Sequence, residues 1–377
     1  MLAVFLFILS NPMEDYSADP YRIFAQSDSI LSSINSIEYS FAFSGTGALS
    51  NIIPEVQGTT SLGNTPGLRH PLMYHSFTTL IREGAIRDLE VPSSFIASAE
   101  SVYYVDHNAS VMYSADYNIL TQDIFDFPPA SIMMEYVIPD PFNDEILADS
   151  IAVLFPTESD GVPCHVFHVF YNNAHGTEAV WFLGMEDLLP RAVERIEYYG
   201  PTSMPGGQLL KISGLRLDCP LSAVPAIPDD FANLPWRSLL ETGELAPGFF
   251  LSDKNGFARR SSDFNGRTLL LCFFSSWDTS SLSALGLLKS ITDDYPDFVQ
   301  AVGISIWEAA DPWFRLNSLG INFPVLVFGE DAADDYNVHS VPAIFLISRD
   351  GIILFTSMNI TDDTVSEIIN FIEEESM

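Results

Sequence analysis

The sequence predicts two domains of different class. An α+β domain, with helices on a curved antiparallel sheet, spans residues 19–240, and an α/β domain spans residues 241–377. Three observations carry this. The first two thirds of the chain hold one clear helix and then a long succession of short alternating strands between turn signals. At Thr268–Phe274 the alternation gives way to a solid apolar run, which suits a central parallel strand covered on both faces. Beyond that run, strands and helices take turns before a closing hairpin and a last helix. The 377 residues fit two or three domains, and 47% apolar with 12% aromatic residues supply packed cores and exclude long disorder.

The chain opens on the apolar run Leu2–Leu9, the length of a signal-peptide core and too short to span a bilayer. Residues 1–18 read as a signal peptide truncated at its start, since the basic n-region and a clean cleavage site are missing. A buried first strand is the competing reading. Export places the protein in a periplasm or outside the cell. Asp19 caps a helix with Pro20 in its first turn, and Ile23, Ser27, Ile30, Ile34 and Ile37 share its face. From Ile37 the period is two: Ile37, Tyr39, Phe41 and Phe43 alternate with Glu38, Ser40, Ala42 and Ser44. Further strands are expected at Phe95–Tyr104, Val111–Ala115, Ile151–Phe155, Pro163–Tyr171, Glu178–Leu183, Ala192–Tyr199 and Gln208–Leu217. A helical stretch near Ile119–Met134 is broken by Pro128-Pro129. One helix followed by such a meander predicts a curved sheet packed around helices.

A connector at Asn233–Glu244 leads into the second domain, which opens on Ala246-Pro-Gly-Phe-Phe-Leu-Ser-Asp253 with a turn at Asn255-Gly256. After the strand Thr268–Phe274 come a helix Asp278–Asp293, strand Ala301–Ile306, helix Pro312–Leu319 and strand Val325–Phe328. Strand Ala343–Ser348, a turn at Arg349-Asp-Gly351, strand Ile352–Ser357 and helix Asp362–Glu374 complete it. The result is a mixed sheet flanked by helices.

Acidic residues number 50 against 16 basic ones, a net charge of -34, which argues against nucleic acid and anionic lipid as partners. Beyond residues 1–18 no run approaches membrane-spanning length, so no transmembrane segment is expected. No Asp/Glu spacing matches a calcium loop, and none of Cys164, Cys219 and Cys272 sits in a zinc-type pairing. His165 and His168 flank two residues on one strand, where a separation of three sends them to opposite faces. Neither a metal nor a cofactor is therefore expected. Cys164 and Cys219 form a candidate disulfide if the strand register brings them together, with independent burial as the alternative.

The motifs Ser98–Tyr104 with Ser110–Tyr113, Gly161-Val-Pro-Cys164-His-Val, Trp181-Phe-Leu with Leu189-Pro-Arg191, and Ile227-Pro-Asp-Asp-Phe231 carry a first resemblance. Residues 19–235 resemble the lipoprotein-carrier-like fold, and more closely a family of periplasmic proteins that shares it. The resemblance implies a cavity for acyl chains or another hydrophobic ligand. Phe41, Phe43, Tyr103, Phe167, Val169, Trp181 and Tyr199 load the strands with apolar surface for such a site. A sheet that simply buries its own helices is the alternative.

A second resemblance rests on Ala246-Pro247 with Phe249, on Asp263-Phe-Asn-Gly266 before Leu269–Trp277, and on Phe323-Pro-Val-Leu326. It continues through Tyr336-Asn-Val-His-Ser-Val-Pro342-Ala-Ile-Phe-Leu-Ile347 and Asp350-Gly351. From about Ala246 to Phe371 the chain resembles the redoxin branch of the thioredoxin superfamily, that of alkyl hydroperoxide reductase and thiol-specific antioxidant. The resemblance implies a Trp-Cys-x-x-Cys motif. Here Trp277 is followed by Asp278, where the attacking cysteine would stand, and Ser281, where the resolving one would. Disulfide exchange and peroxide reduction both need a thiolate. No catalytic residue is therefore expected, and Asp278 reads as a helix cap. Cys272, inside the predicted buried strand, reads as a small hydrophobe. Pro342 is the counterpart of the family's cis-proline, whose loop offers backbone groups to an extended peptide. His339 reads as a loop residue at the mouth of this site, and a pairing with Ser281 or Asp278 is the alternative. The expected function is non-catalytic binding of a hydrophobic ligand, peptide or protein partner. Thiol–disulfide oxidoreductase or peroxidase, and lipid or lipoprotein carrier, are the rivals.

Overall fold

A computed structural model describes residues 18–50, 52–64, 71–83, 87–97, 101–116, 133–137, 140–171, 178–199, 204–220, 226–235, 239–308, 312–358 and 362–376. The chain divides into two compact units, the second of which contains Trp236–Met377. The expected signal peptide and the proline-broken helix with Pro128-Pro129 lie outside the described residues. Among the described residues no helix is long and apolar enough to cross a membrane.

In the first unit, α1 (Pro20–Leu31) starts where Asp19 accepts a bond from the Arg22 amide at 3.3 Å. The helix stops short of the expected Ile37. Ser32 and Ser33 donate their hydroxyls to the Asp28 and Ile30 carbonyls, satisfying the helix end in place of a further turn. Strand β1 (Ser36–Gly47) then buries Ile37, Tyr39, Phe41 and Phe43 and leaves the residues between them more open.

Eleven more strands join β1: β2 (Glu55–Asn64), β3 (Pro71–Glu83), β4 (Arg87–Ala97), β5 (Ser101–Asp106), β6 (Val111–Asp116), β7 (Ser150–Ser159), β8 (Val162–Phe170), β9 (Glu178–Gly184), β10 (Pro190–Tyr199), β11 (Met204–Leu217) and β12 (Ala232–Pro235). They form one sheet in the order β12-β6-β5-β4-β3-β2-β1-β11-β10-β9-β8-β7. A short helix, α2 (Asn143–Ile146), precedes β7. The unit is richer in strand than the α+β expectation. Of residues 95–104, expected as one strand, the first three belong to β4 and the last four to β5, which pair antiparallel with Phe95 opposite Tyr104. The start of the expected connector, Asn233 to Pro235, instead pairs in parallel with β6, Asn233 opposite Met112.

Register sets one apolar row across the sheet. Val153, Phe167, Trp181, Val193, Leu210, Phe43 and Val56 stand side by side on seven consecutive strands. Phe24 of α1 lies on this face, its ring 5.4 Å from Phe167 and 5.1 Å from Phe142. Gly58 sits between Phe41 and Phe77, and a Cβ there would meet the Ser76 carbonyl at 1.9 Å. The candidate disulfide does not form. Cys164 on β8 and Cys219 beyond β11 are free thiols. With β9 and β10 between their strands at ~4.8 Å per step, the gap far exceeds the reach of a bridge.

The second unit holds β13 (Phe250–Asp253), β14 (Ala258–Arg260), β15 (Thr268–Phe274), α3 (Thr279–Asp294), β16 (Val299–Ser305), α4 (Trp313–Leu316), β17 (Val325–Val327), α5 (Glu330–Asp335), β18 (Ala343–Ile347), β19 (Ile353–Ser357) and α6 (Asp362–Ser376). The sheet order is β14-β13-β17-β16-β15-β18-β19. β15, β16 and β17 run parallel, and β18 and β19 are antiparallel. All seven residues of β15 are buried. Leu269, Leu271 and Phe273 pack on one face with Val302, Ile304 and Phe345. Leu270, Cys272 and Phe274 pack on the other with Leu285, Leu288, Ile368 and Ile372 from α3 and α6. Asp253 accepts the Asn255 and Phe257 amides, which fixes the turn where Gly256 has φ 76°. The helix expected at Pro312–Leu319 is a single α turn continued by a 3-10 turn, and α5, not expected from the sequence, follows β17.

Candidate functional site

Strand β15 ends at Phe274, and the chain reaches α3 through Ser275, Ser276, Trp277 and Asp278. Asp278 is extended (φ -96°, ψ 126°), and its carboxylate accepts the Ser281 amide at 2.6 Å. Four backbone amides at a helix start lack intrahelical acceptors, and an anion there also answers the positive end of the helix dipole. Ser281 is fully buried. Its hydroxyl oxygen accepts the Ser275 amide at 3.3 Å, while the Ser275 hydroxyl donates to the Ile306 carbonyl at 2.8 Å. Asp278 and Ser281 therefore hold the loop and the helix start together.

Cys272 lies three positions before this loop in β15 and is completely buried. Burial, with the Asp278 carboxylate nearby, pushes its thiol far above the usual range, so it stays protonated and inert. The Val341–Pro342 peptide is cis, and Pro342 leads into β18, the antiparallel neighbour of β15. His339 is half-buried in the same loop. In the first unit, His168 bonds Glu178 at 2.7 Å and His165 stacks on Phe167, so the two histidines have separate surroundings. No group of three or more His, Cys, Asp or Glu comes together as a metal site among the described residues.

The structure adds residues that the sequence reading missed. Glu308, just past β16, accepts the Ser276 amide at 2.5 Å, the Ser276 hydroxyl at 2.8 Å and the Ser305 hydroxyl at 3.0 Å. Burial raises its carboxyl to about 7, against the pull of these donors and of the Arg315 guanidinium. Trp307 beside it has φ 54°, a backbone shape that a bulky residue adopts only when its surroundings enforce it. The Glu330 carboxylate accepts its amide at 2.9 Å, and Trp277 Nε1 donates to its carbonyl at 2.8 Å. One signal was available: in open α/β sheets, sites gather beyond the carboxyl ends of parallel strands, where both Trp277 and Glu308 lie.

The arrangement offers a carboxyl that titrates near neutrality, two indoles and a cis-proline loop, with a carboxylate cap and a buried hydroxyl at the start of α3. No family model matches the chain. The thiol-disulfide oxidoreductase ResA of Geobacillus kaustophilus is 26% identical over 120 residues, covering 30% of this chain and 68% of that protein. ResA of Bacillus subtilis is 26% identical over 144 residues, 36% of this chain and 79% of that protein. A solved thiol-disulfide oxidoreductase of Bacteroides fragilis shares 22% identity over 36% of this chain and 100% of its own, with a TM-score of 0.30. About a third of the chain is thus homologous to thioredoxin-like thiol-disulfide oxidoreductases.

Proposed function

We propose that the second unit is a thioredoxin-like module that has left thiol chemistry and binds an extended peptide or a protein partner along the Pro342 loop. The observation that carries this is the pair at the cysteine positions. Asp278 caps α3, and Ser281 is buried with its oxygen engaged by the Ser275 amide. Neither can form the mixed disulfide that the exchange reaction requires. A peptide laid against the loop needs backbone groups only, so loss of the cysteines leaves that mode intact.

The rival, an active redoxin, is supported by the homology to ResA. The test is insulin reduction and peroxide consumption by the full chain. Rates equal to buffer are expected. Turnover that disappears in Cys272→Ser would overturn the reading.

For the first unit the lipoprotein-carrier-like reading, with export to a periplasm or outside the cell, stays a proposal. Phe24, Phe142 and Phe167 fill the face beneath α1 with protein side chains, which favours a closed core there over an apolar ligand. Titration of the protein with a fluorescent fatty acid separates the two, and saturable binding would restore the carrier reading.

A further inference from the structure

Strand β14 is one edge of the second unit's sheet, on the side of β15 away from β18 and the Pro342 loop. Among the described residues no strand pairs with its outer side. The Phe257 carbonyl accepts the Asp253 amide at 2.9 Å, and the Ser261 amide donates to the Phe249 carbonyl at 3.0 Å. In an antiparallel pair alternate residues turn their bonding groups toward the partner, so Phe257, Arg259 and Ser261 face β13 while Ala258 and Arg260 face outward. Asp263 takes the Arg260 amide at 3.0 Å. The Ala258 amide and the carbonyls of Ala258 and Arg260 are left pointing at the open edge.

The side chains around this edge carry the opposite charge to the rest of the chain. Lys254–Arg267 holds four of the 16 basic residues, Lys254, Arg259, Arg260 and Arg267, against one acid, Asp263, in a chain of net charge -34. Every residue from Lys254 to Arg260 is exposed. Each face of the hairpin also carries one arginine and one exposed phenylalanine. Arg260 stands opposite Phe250, its guanidinium 5.3 Å from the ring centre. Arg259 and Phe257 belong to the other face, where Arg259 pairs with Asp253 at 3.2 Å. Phe250 is 64% and Phe257 66% exposed. Gly248, Phe249, Phe250, Arg260, Ser261 and Ser262 line a surface pocket of about 440 Å³ beside the strand.

We propose that β14 is a docking edge for an extended acidic segment of a partner protein, which adds to the seven-stranded sheet as an eighth strand. Successive side chains of an added strand point to opposite faces, and each face meets them with a cation and an aromatic ring. Cations on an edge strand repel a like edge and guard against self-pairing, while the same cations attract an acidic strand. Nucleic acid would answer the charge but not the open backbone, and the chain as a whole repels it. This surface is separate from the Pro342 loop, so either reading stands if the other fails.

The experiment is fluorescence anisotropy of a labelled eight-residue peptide, two repeats of Glu-Glu-Val-Val, titrated with the full chain. Valine favours the extended form over a helix. The chain's own charge repels this peptide, so saturable binding has to come from a local basic surface. Saturation with a Kd below about 1 mM is expected, weakening as salt rises. Arg260 is exposed, so Arg260→Glu leaves the core intact, and it should weaken binding at least about tenfold. The same peptide with proline in place of its valines keeps the charge but cannot extend the ladder, and should also lose at least about tenfold. Sedimentation in the same buffer tests the other occupant of the edge, a second copy of this chain, and should show no dimer that depends on Arg260. Four results would each overturn the proposal: the peptide does not saturate, Arg260→Glu binds like the wild type, the proline peptide binds as well as the valine one, or a dimer forms and is lost in Arg260→Glu.

Discussion

Replacing Asp278 by alanine tests whether this residue is a structural cap. The Asp278 carboxylate accepts the Ser281 amide at 2.6 Å, and Leu282 begins the helical ladder by bonding the Asp278 carbonyl at 3.1 Å. Loss of an N-cap acceptor costs about 1 kcal/mol, and loss of a negative charge at a helix N-terminus a further ~0.3–1 kcal/mol. Ser281 is fully buried, so water cannot readily replace the lost acceptor, which places the total near 2 kcal/mol. The loss should spread along α3, because Ala284, Leu285, Leu288 and Ile291 all contribute to the core. Urea unfolding of the full chain, with hydrogen exchange at α3 to isolate the second unit, reads both effects. Asp278→Ser and Asp278→Asn keep a capping oxygen and should stay within about 0.5 kcal/mol of each other. If Asp278→Ala were as stable as the wild type, or Asp278→Ser as damaging as Asp278→Ala, the cap argument would fail. A gain in stability for Asp278→Ala would instead mark Asp278 as a strained functional residue.

Three further expectations follow from the same geometry. Asp278→Cys with Ser281→Cys puts two thiols one helical turn apart at the N-terminus of α3, so a reversible disulfide should be detected by thiol trapping, with slow insulin reduction; two thiols that never pair would show that the loop has drifted from redox geometry. Glu308 titrates at about 7 folded against 4.5 unfolded, so the folded protein binds more protons in that window and stability falls as pH rises through it, by ~3 kcal/mol in all; Glu308→Gln should flatten the curve, and an unchanged slope would refute the assignment. Gly58→Ala should destabilise the first unit by about 1–3 kcal/mol in thermal unfolding, because its Cβ meets the Ser76 carbonyl at 1.9 Å; a neutral result would contradict the register of β2 against β3.

The second unit was easier to read from sequence because its signals are local and strong. Seven consecutive apolar residues at Thr268–Phe274 announce a strand buried on both sides, and it is buried on both sides. The loop that follows is legible as a sequence of residue types, Trp277 through Ser281. Glu308 was legible only by its place past the end of a parallel strand, because its meaning comes from contact with Ser276, thirty-two positions away. The short helix α5 was hidden for a different reason. Glu330-Asp-Ala-Ala-Asp-Asp335 buries only Ala332 and Ala333, too few residues for a period to show.

In the first unit the alternation was visible where large apolar residues carried it, as in β1, and obscured where the packing demanded small or polar ones, as in β2. Strand β2 faces the core with Val56, Gly58, Thr60 and Leu62. Gly58 leaves room for Phe41 and Phe77, and Thr60 sits 2.8 Å from the ring of His75, so half of the inward face does not look apolar at all. His75 in turn is buried and stacked on Phe41, and burial drives its pKa down to about 3, so it behaves as a neutral aromatic in the core. Polar residues that are satisfied by one another inside a sheet erase the pattern on which strand recognition depends.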